Sequence, residues 1–446
     1  MIRQVKKYQV HDVKIFLHDL LFYGSNSETF CLLNSNRSAK LHGDKYSGYD
    51  LLAGIGIIEE LKAGNDSFNA LHKFHQAKRD WLFGFFTYDL KNEISKLSSS
   101  NFDGLNFPSI HFFQPRYVIA LRENDCEIHF NPQRDNEQSA DKLFEEIISG
   151  HKEINYSEGN IEIKQRVTRD KYLEDVKNIL AHIQRGDVYE LNYCQEFYSE
   201  NAAINPAHTY LQLNDFSPMP FSCFYRLGEE YLMCASPERF LKKVDDKIIA
   251  QPMKGTISRG KNEADDFLQK EKLLNDEKER AENVMIVDLV RNDLSRTAKK
   301  NSVQVEELFG IYSFPNLHQM ISTVVSEKKD EMHWVDVIRN AFPMGSMTGA
   351  PKIRAMQLIE QYEKTKRGLF SGAVGYITPE ADFDFNVVIR SVLYNAEKKY
   401  LSFMAGSAIT ANSNPEKEYE ECLLKAAAFF KIFSDEKELV KTLVNA

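Results

Sequence analysis

The chain has 446 residues, 43% hydrophobic and 27% charged, with a formal net charge of -9 at pH 7. That length holds one very large domain or two to three ordinary ones with ample core. The negative balance argues against nucleic acid or an anionic membrane surface as main partner, since both need basic patches.

The six cysteines form no CxxC pair, so neither a zinc knuckle nor a disulfide framework is expected. Residues 1–8 hold no apolar leader, and no uninterrupted apolar run reaches the roughly 18 residues of a membrane helix, so a cytoplasmic protein is expected. Over 10–113 short apolar runs alternate with polar turns, the texture of an α+β region. The apolar run 15–23 stops at Gly24-Ser25-Asn26-Ser27, and 30–33 reads as a buried strand ending at Asn34-Ser35-Asn36. Residues 81–90 read as core strand without chemistry. The polar stretch 131–164, with Pro132, Gly150 and Gly159, is the expected boundary. It divides the chain into an N-terminal region 1–130, a linker 131–164, a catalytic domain 165–432 and a tail 433–446.

Thr168 is placed to cap a helix in which Leu173, Val176, Leu180 and Ile183 recur at helical spacing until Gly186. Over 188–197 the alternation predicts a half-buried strand, with Tyr189, Leu191, Tyr193 and Phe197 on one face. Glu190, Asn192 and Glu196 share the other, a polar face able to border a site. Strands over 231–235 and 247–251 put Glu238 and Lys254 near strand ends, where ligand sites gather. In Gln251-Pro252-Met253-Lys254-Gly255-Thr256, Pro252 has no backbone donor and Gly255 permits close approach, so Lys254 is tightly held. A lysine becomes a nucleophile when burial or a nearby cation lowers its pKa. Residues 386–394 read as a further strand, and a helix begins near Pro415 with Ser413 as its cap. No solenoid repeat or glycine-rich phosphate loop is present, which disfavours nucleotide-binding enzymes.

Glu279 and Glu282 lie one helical turn apart, and Glu418 and Glu421 repeat that spacing with Lys425 four residues on. Two carboxylates on one stripe, twice over, suit Mg²⁺, which takes one or two protein carboxylates plus water and substrate oxygens. Asp288, Arg291 and Asp293 read as a structural ion network.

Ser236-Pro237-Glu238 followed by Pro252-Met253-Lys254-Gly255-Thr256 resembles the chorismate-utilising enzymes. So do AENVMIVDLVRNDLSR at 281–296, PMGSMTGAPK at 343–352 and RGLFSGAVGY at 367–376. The resemblance is strongest from about Thr168 to Lys425. A lysine in this motif resembles the aminodeoxychorismate branch, since anthranilate and isochorismate synthases typically carry alanine there. The resemblance implies an α+β fold, a four-layer α/β/β/α sandwich with two facing antiparallel sheets. It implies Lys254 as nucleophile, Glu238 as acid, and Mg²⁺ held directly by Glu282 and Glu421 and through water by Glu279 and Glu418. Substrate contacts are implied for Gly255, Thr256, His318, Ser346, Arg390, Lys425 and a turn at Gly406-Ser407-Ala408. A tryptophan pocket is implied for Ser35, Lys45, Tyr46 and Ser47. The implied reaction makes 4-amino-4-deoxychorismate from chorismate and ammonia supplied by a separate glutamine amidotransferase subunit. Ser295, Phe370 and Ala408 depart from the family pattern of glycine, tyrosine and glycine. The alternatives are anthranilate synthase component I and a non-catalytic chorismate- or tryptophan-binding regulatory subunit.

Overall fold

The computed structural model describes residues 2–38, 43–150 and 161–433. Its architecture follows from alternation along the strands. In Thr29–Asn34, Leu51–Ala63, Glu190–Ser199, Glu230–Ser236 and Tyr400–Thr410, successive side chains point to opposite faces. One set, including Phe30, Leu32, Ala53, Tyr193, Met233 and Phe403, packs into a core with apolar residues of outer helices. These helices include Val13–Ser25, Glu137–Ile148, Arg169–Gln184, Pro206–Phe216 and Pro415–Phe433. The other set, including Cys31, Leu52, Cys194, Leu232 and Met404, meets Phe83, Phe85, Val374, Phe385 and Leu241 of a second strand layer. That core also takes in Trp334, Val335 and Ile338 of the helix Trp334–Ala341. Helices, two sheets and helices therefore stack in layers, the α+β arrangement the resemblance implied.

The first sheet runs antiparallel from Gln4–Gln9 through Asp125–Phe130, Ile110–Arg122, Leu51–Ala63, Thr29–Asn34, Phe221–Leu227, Glu230–Ser236, Ser391–Asn395 and Tyr400–Thr410 to Glu190–Ser199. The second runs from Leu82–Phe86 through Ala373–Ile377, Phe383–Asn386, Arg239–Val244 and Lys247–Gln251 to Leu317–Glu327, which also pairs with Met253–Ser258 and Gln304–Ser313. Ile110–Arg122 joins both sheets, because its first residues also pair with Leu82–Phe86. Strands from 1–130 thus lie inside both sheets.

Within the segment read as a linker, Glu137–Ile148 is a helix closed by an Asn136–Ser139 capping box. Residues 151–160 of that segment, and 434–446 of the expected tail, lie outside the described residues. Thr168 caps Arg169–Gln184 by accepting the Lys171 amide at 3.4 Å.

Four local readings are corrected. The strand Glu190–Ser199 is buried on both faces rather than half-buried, and Tyr189, just before it, is 68% exposed. Its polar face survives burial by pairing: Glu196 accepts from Arg166, Thr365, Tyr400 and Ser402. The expected strand 386–394 is two strands, Phe383–Asn386 and Ser391–Asn395, separated by residues 387–390 with Arg390 at φ 49°. Asn414 caps Pro415–Phe433 through the Lys417 amide at 3.0 Å, whereas Ser413 accepts the Thr410 amide. Gly406, Ser407 and Ala408 belong to the strand Tyr400–Thr410, not to a turn.

Candidate active site

The site forms where an edge of each sheet meets the other. Glu190 opens the strand Glu190–Ser199, and Lys254 is the second residue of Met253–Ser258. Between Met253 and Thr256 the register against Leu317–Glu327 shifts, with Gly255 at φ 83°. A bulge with a left-handed glycine re-aims its neighbour, and here it turns Lys254 towards the first sheet. The Lys254 Nζ lies 2.9 Å from Glu190 Oε1 and 3.8 Å from Glu282 Oε2. Burial favours the neutral amine, but Glu190 and Glu282 outweigh it and the pKa is raised. The expected lowering is therefore corrected: in this state Lys254 is an ammonium.

Glu238 is 5% exposed, and burial pushes its carboxyl up to about 7 against the pull of the Ser346 hydroxyl and Lys254. Its backbone is fixed at both ends, since the Glu238 amide donates to Ser236 Oγ at 3.2 Å and the Val387 amide donates to the Glu238 carbonyl at 3.0 Å. A carboxyl that keeps its proton near neutrality can act as an acid.

The two glutamate pairs stand on the helices Glu277–Ser295 and Pro415–Phe433. Asp276 caps the first by accepting the Glu279 amide at 3.0 Å. The charge of Lys278 acts on Glu279, Glu282, Glu418 and Glu421 together, so the pairs converge. Gly255 permits the approach of the first helix, because a Cβ there would stand 3.1 Å from Glu279 Oε2. Burial raises the Glu279 and Glu282 carboxyls. Glu421 feels the same burial, but Lys425 at 2.7 Å takes it below the usual range. As they stand, no three acidic, histidine or cysteine side chains among the described residues close round one point. The donor set, all carboxylate oxygen with lysines interleaved, nonetheless suits a hard divalent cation such as Mg²⁺ that keeps several waters.

Opposite the glutamates lie groups suited to an anion. The amides of Cys194 and Asn192 donate away from Tyr400–Thr410, to Glu363 Oε1 at 2.9 Å and to the Thr348 carbonyl at 2.8 Å. Their partners Gly406 and Ala408 are therefore in non-hydrogen-bonded pairs, and their own amides face the open edge. Lys425 Nζ donates to the Gly406 carbonyl there at 2.9 Å. Gly406 has to be glycine, since a Cβ would meet the Tyr193 carbonyl at 2.1 Å. The Ser346 carbonyl accepts from the Asn192 side chain at 2.7 Å, and its buried hydroxyl shares a cavity with Glu238. Arg390 has no carboxylate beside it, and burial alone lowers its pKa.

Other expected site residues lie elsewhere or are engaged. His318 is buried with Nε2 at 2.9 Å from Asp266 and Nδ1 at 2.9 Å from Ser313. The Thr256 hydroxyl donates to Gln319 at 2.8 Å. Ser407 sits opposite Tyr193, on the face of the strand turned to the outer helices. Lys45 and Tyr46 reach the surface carboxylate of Glu306. Ser35 and Ser47 line a separate small cavity with Asp44, Phe221 and Arg239. Of the signature acids, Asp288 pairs with Arg291 at the surface at 3.0 Å, and Asp293 makes a buried 2.6 Å pair with Lys352. Reading the sequence put Glu190 on a polar face able to border a site without naming it a site residue, and missed Lys278. The signal for Glu190 was its place on the polar face of an otherwise apolar strand.

All six cysteines are buried free thiols. Among the described residues no helix is long and apolar enough to cross a membrane.

Residues 36–431 match the family described as chorismate binding enzyme. The chain is 37% identical over 268 residues to aminodeoxychorismate synthase component 1 of Escherichia coli (strain K12), covering 60% of this chain and 58% of that protein. It is 39% identical over 299 residues to a probable chloroplastic aminodeoxychorismate synthase of Oryza sativa subsp. japonica, covering 65% of this chain but 33% of that one. The chain thus spans between a third and three fifths of the length of these relatives. Anthranilate synthase component I from Streptococcus pneumoniae TIGR4 superposes with a TM-score of 0.75 at 24% identity, over 85% of this chain and 91% of that one, a likeness of fold. The matched span takes in every strand from Leu51–Ala63 onward, the bulge of Lys254 and both glutamate pairs, and on that basis the chain belongs to the chorismate binding enzyme family.

Proposed function

We propose that this chain is component I of an aminodeoxychorismate synthase, converting chorismate and ammonia into 4-amino-4-deoxychorismate, the precursor of 4-aminobenzoate for folate. The observation that carries the reading is Lys254, aimed by a glycine bulge into a buried site between Glu190, Glu238 and the four glutamates. Chorismate has two carboxylates and a ring hydroxyl that leaves poorly, so its enzyme needs cationic groups, an acid and a nucleophile. Arg390, Lys425 and the amides of Gly406 and Ala408 would hold carboxylates.

Glu282 and Glu421, with Glu279 and Glu418 behind them, would hold Mg²⁺, which would supply positive charge towards the ring carboxylate. Lys254 gives up its proton to solvent, its neutral amine attacks the ring carbon beside the carboxylate-bearing one, both double bonds of the diene shift, and the C–O bond to the hydroxyl breaks. Glu238 gives its proton to the departing oxygen, which leaves as water. Ammonia bonds to the carbon the hydroxyl left, both double bonds return, and the electron pair of the ring–lysine bond leaves with Lys254. The surplus proton on the product nitrogen returns to Glu238.

Ammonia would come from a separate glutamine amidotransferase subunit, a reading that the name component 1 of the Escherichia coli relative supports. The six buried free thiols suit a reducing cytoplasm. The pocket at Ser35 and Ser47 is proposed as a tryptophan site in which Lys45 and Tyr46 would have to turn from Glu306. Anthranilate synthase is the second reading, because the family contains it.

Two measurements test this. Intact-mass spectrometry of the enzyme with chorismate and Mg²⁺ but no ammonia is expected to give an adduct that Lys254→Ala abolishes. Chromatography of the products with ammonium present is expected to give aminodeoxychorismate, and anthranilate alone would overturn the assignment.

A further inference from the structure

Lys278 is the member of the site to which the proposed chemistry gives no task. It stands in the first turn of the helix Glu277–Ser295, directly before Glu279 and four residues before Glu282. Its Nζ lies 3.8 Å from Glu282 Oε1, and the Lys254 Nζ lies 3.8 Å from Oε2 of the same carboxylate, so Glu282 has a lysine facing each oxygen. The charge of Lys278 also reaches Glu418 and Glu421, which the helix Pro415–Phe433 brings in from the other side. A lysine serving its own helix would answer to the carboxylate four residues on and no further. A cation in a first turn also opposes the helix dipole, which favours anions there, so helix stability does not account for its place.

What Lys278 does there follows from charge. Four glutamates that converge from two helices repel one another whenever no cation stands among them. Lys254 and Lys425 are not free to come and go: the first is held by Glu190 at 2.9 Å, and the second is bonded both to Glu421 and to the Gly406 carbonyl. Lys278 is 58% exposed at its side chain, so its ammonium reaches water by turning about its own flexible stem. We infer that Lys278 is a tethered counter-ion of the glutamate quartet, standing among the carboxylates while no metal is bound and releasing Glu282 as Mg²⁺ arrives. The inference rests on the Mg²⁺ site proposed above. The exchange makes and breaks no covalent bond: a divalent ion enters, and an ammonium that keeps its proton swings into solvent. Because the two cations compete for one carboxylate, Lys278 sets the metal concentration at which the site fills.

The test uses the full chain stripped with a chelator, without chorismate, and magnesium chloride alone as the probe. Lys278→Met keeps the stem and removes the charge. Calorimetric titration is expected to give a Mg²⁺ Kd about threefold to tenfold lower than that of the native chain, since two cations no longer share one carboxylate. Thermal scans are expected to show the other half of the same cycle: with chelator the variant melts below the native chain, and at saturating Mg²⁺ the two midpoints coincide. Lys278→Arg retains the charge and is expected to match the native chain in both measurements. A Kd unchanged or raised in Lys278→Met overturns the inference. A midpoint lowered equally with and without Mg²⁺ does so too, because Lys278 would then be an ordinary surface partner of Glu282. Should the native chain itself take up no Mg²⁺, the metal site falls and the exchange with it, an outcome distinguishable because it precedes any comparison of variants.

Discussion

Two arginines, Arg367 buried and Arg390 half-buried, are treated in opposite ways. Arg367 is closed on every side: it makes a two-pronged pair with Glu363 at 2.6 and 3.0 Å and donates to the carbonyls of Met347 and Asn192. Arg390 sits in the break between two strands at a positive φ with no carboxylate beside it. The same division separates Glu363, whose oxygens are both used, from Glu190, with one oxygen open. Charge that is fully met holds the strand Glu190–Ser199 in place. Charge that is left open faces the site. Burial alone does not distinguish structural from functional ions, and the count of unmet valences does.

The comparison can be broken most severely at Arg367. Arg367→Ala leaves Glu363 unpaired in the core and is expected to cost about 3–5 kcal/mol of stability, read as a large fall in denaturation midpoint. A loss under about 1 kcal/mol would mean the pair is not structural. Next is Glu238, whose folded pKa of about 7 lies above the 4.5 of an ordinary glutamate. The folded state therefore binds the proton more tightly, and this carboxyl costs stability as pH rises from about 4.5 through 7. Glu238→Gln is expected to gain on the order of 3 kcal/mol relative to the native chain at pH 8.5 and little at pH 4, in thermal scans, while losing turnover. The native enzyme should itself lose activity as pH climbs through about 7.

Arg390→Ala is expected to raise the chorismate KM by 10- to 100-fold, about 1.5–3 kcal/mol, with the unfolding midpoint unchanged or higher. A drop in midpoint without a change in KM would move Arg390 to the structural class. The smallest effect belongs to Lys45, 56% exposed at its side chain and paired with Glu306. Lys45→Ala should alter stability by less than about 1 kcal/mol, and tryptophan binding by calorimetry would show whether it serves a ligand.

Where a residue pattern carried its own geometry, the sequence was readable. Thr168 and the paired glutamates gave helices, and alternation gave the strands that bring Glu238 and Lys254 to their ends. What depended on register between distant segments was not. The meeting of Lys254 with Glu190 spans 64 residues, and nothing local to either names the other. Arg390 was read into a continuous strand because the apolar run around it hides a backbone break. Gly406 looked like a turn, although its glycine is demanded by strand-to-strand closeness rather than by a change of direction. Lys45 and Tyr46 were grouped with Ser35 and Ser47 by proximity in sequence, and a surface carboxylate from residue 306 separates them.

The helix Pro415–Phe433 lies across the strand Tyr400–Thr410 and delivers Glu418, Glu421 and Lys425 to a pocket whose other glutamate pair ends some 130 residues earlier in the chain, at Glu282. During synthesis, then, a growing polypeptide carries its lysine and its acid long before the second glutamate pair exists. A half-made molecule on the ribosome has Lys254 and Glu238 without the last helix, so the site is finished only once the whole double sheet has closed.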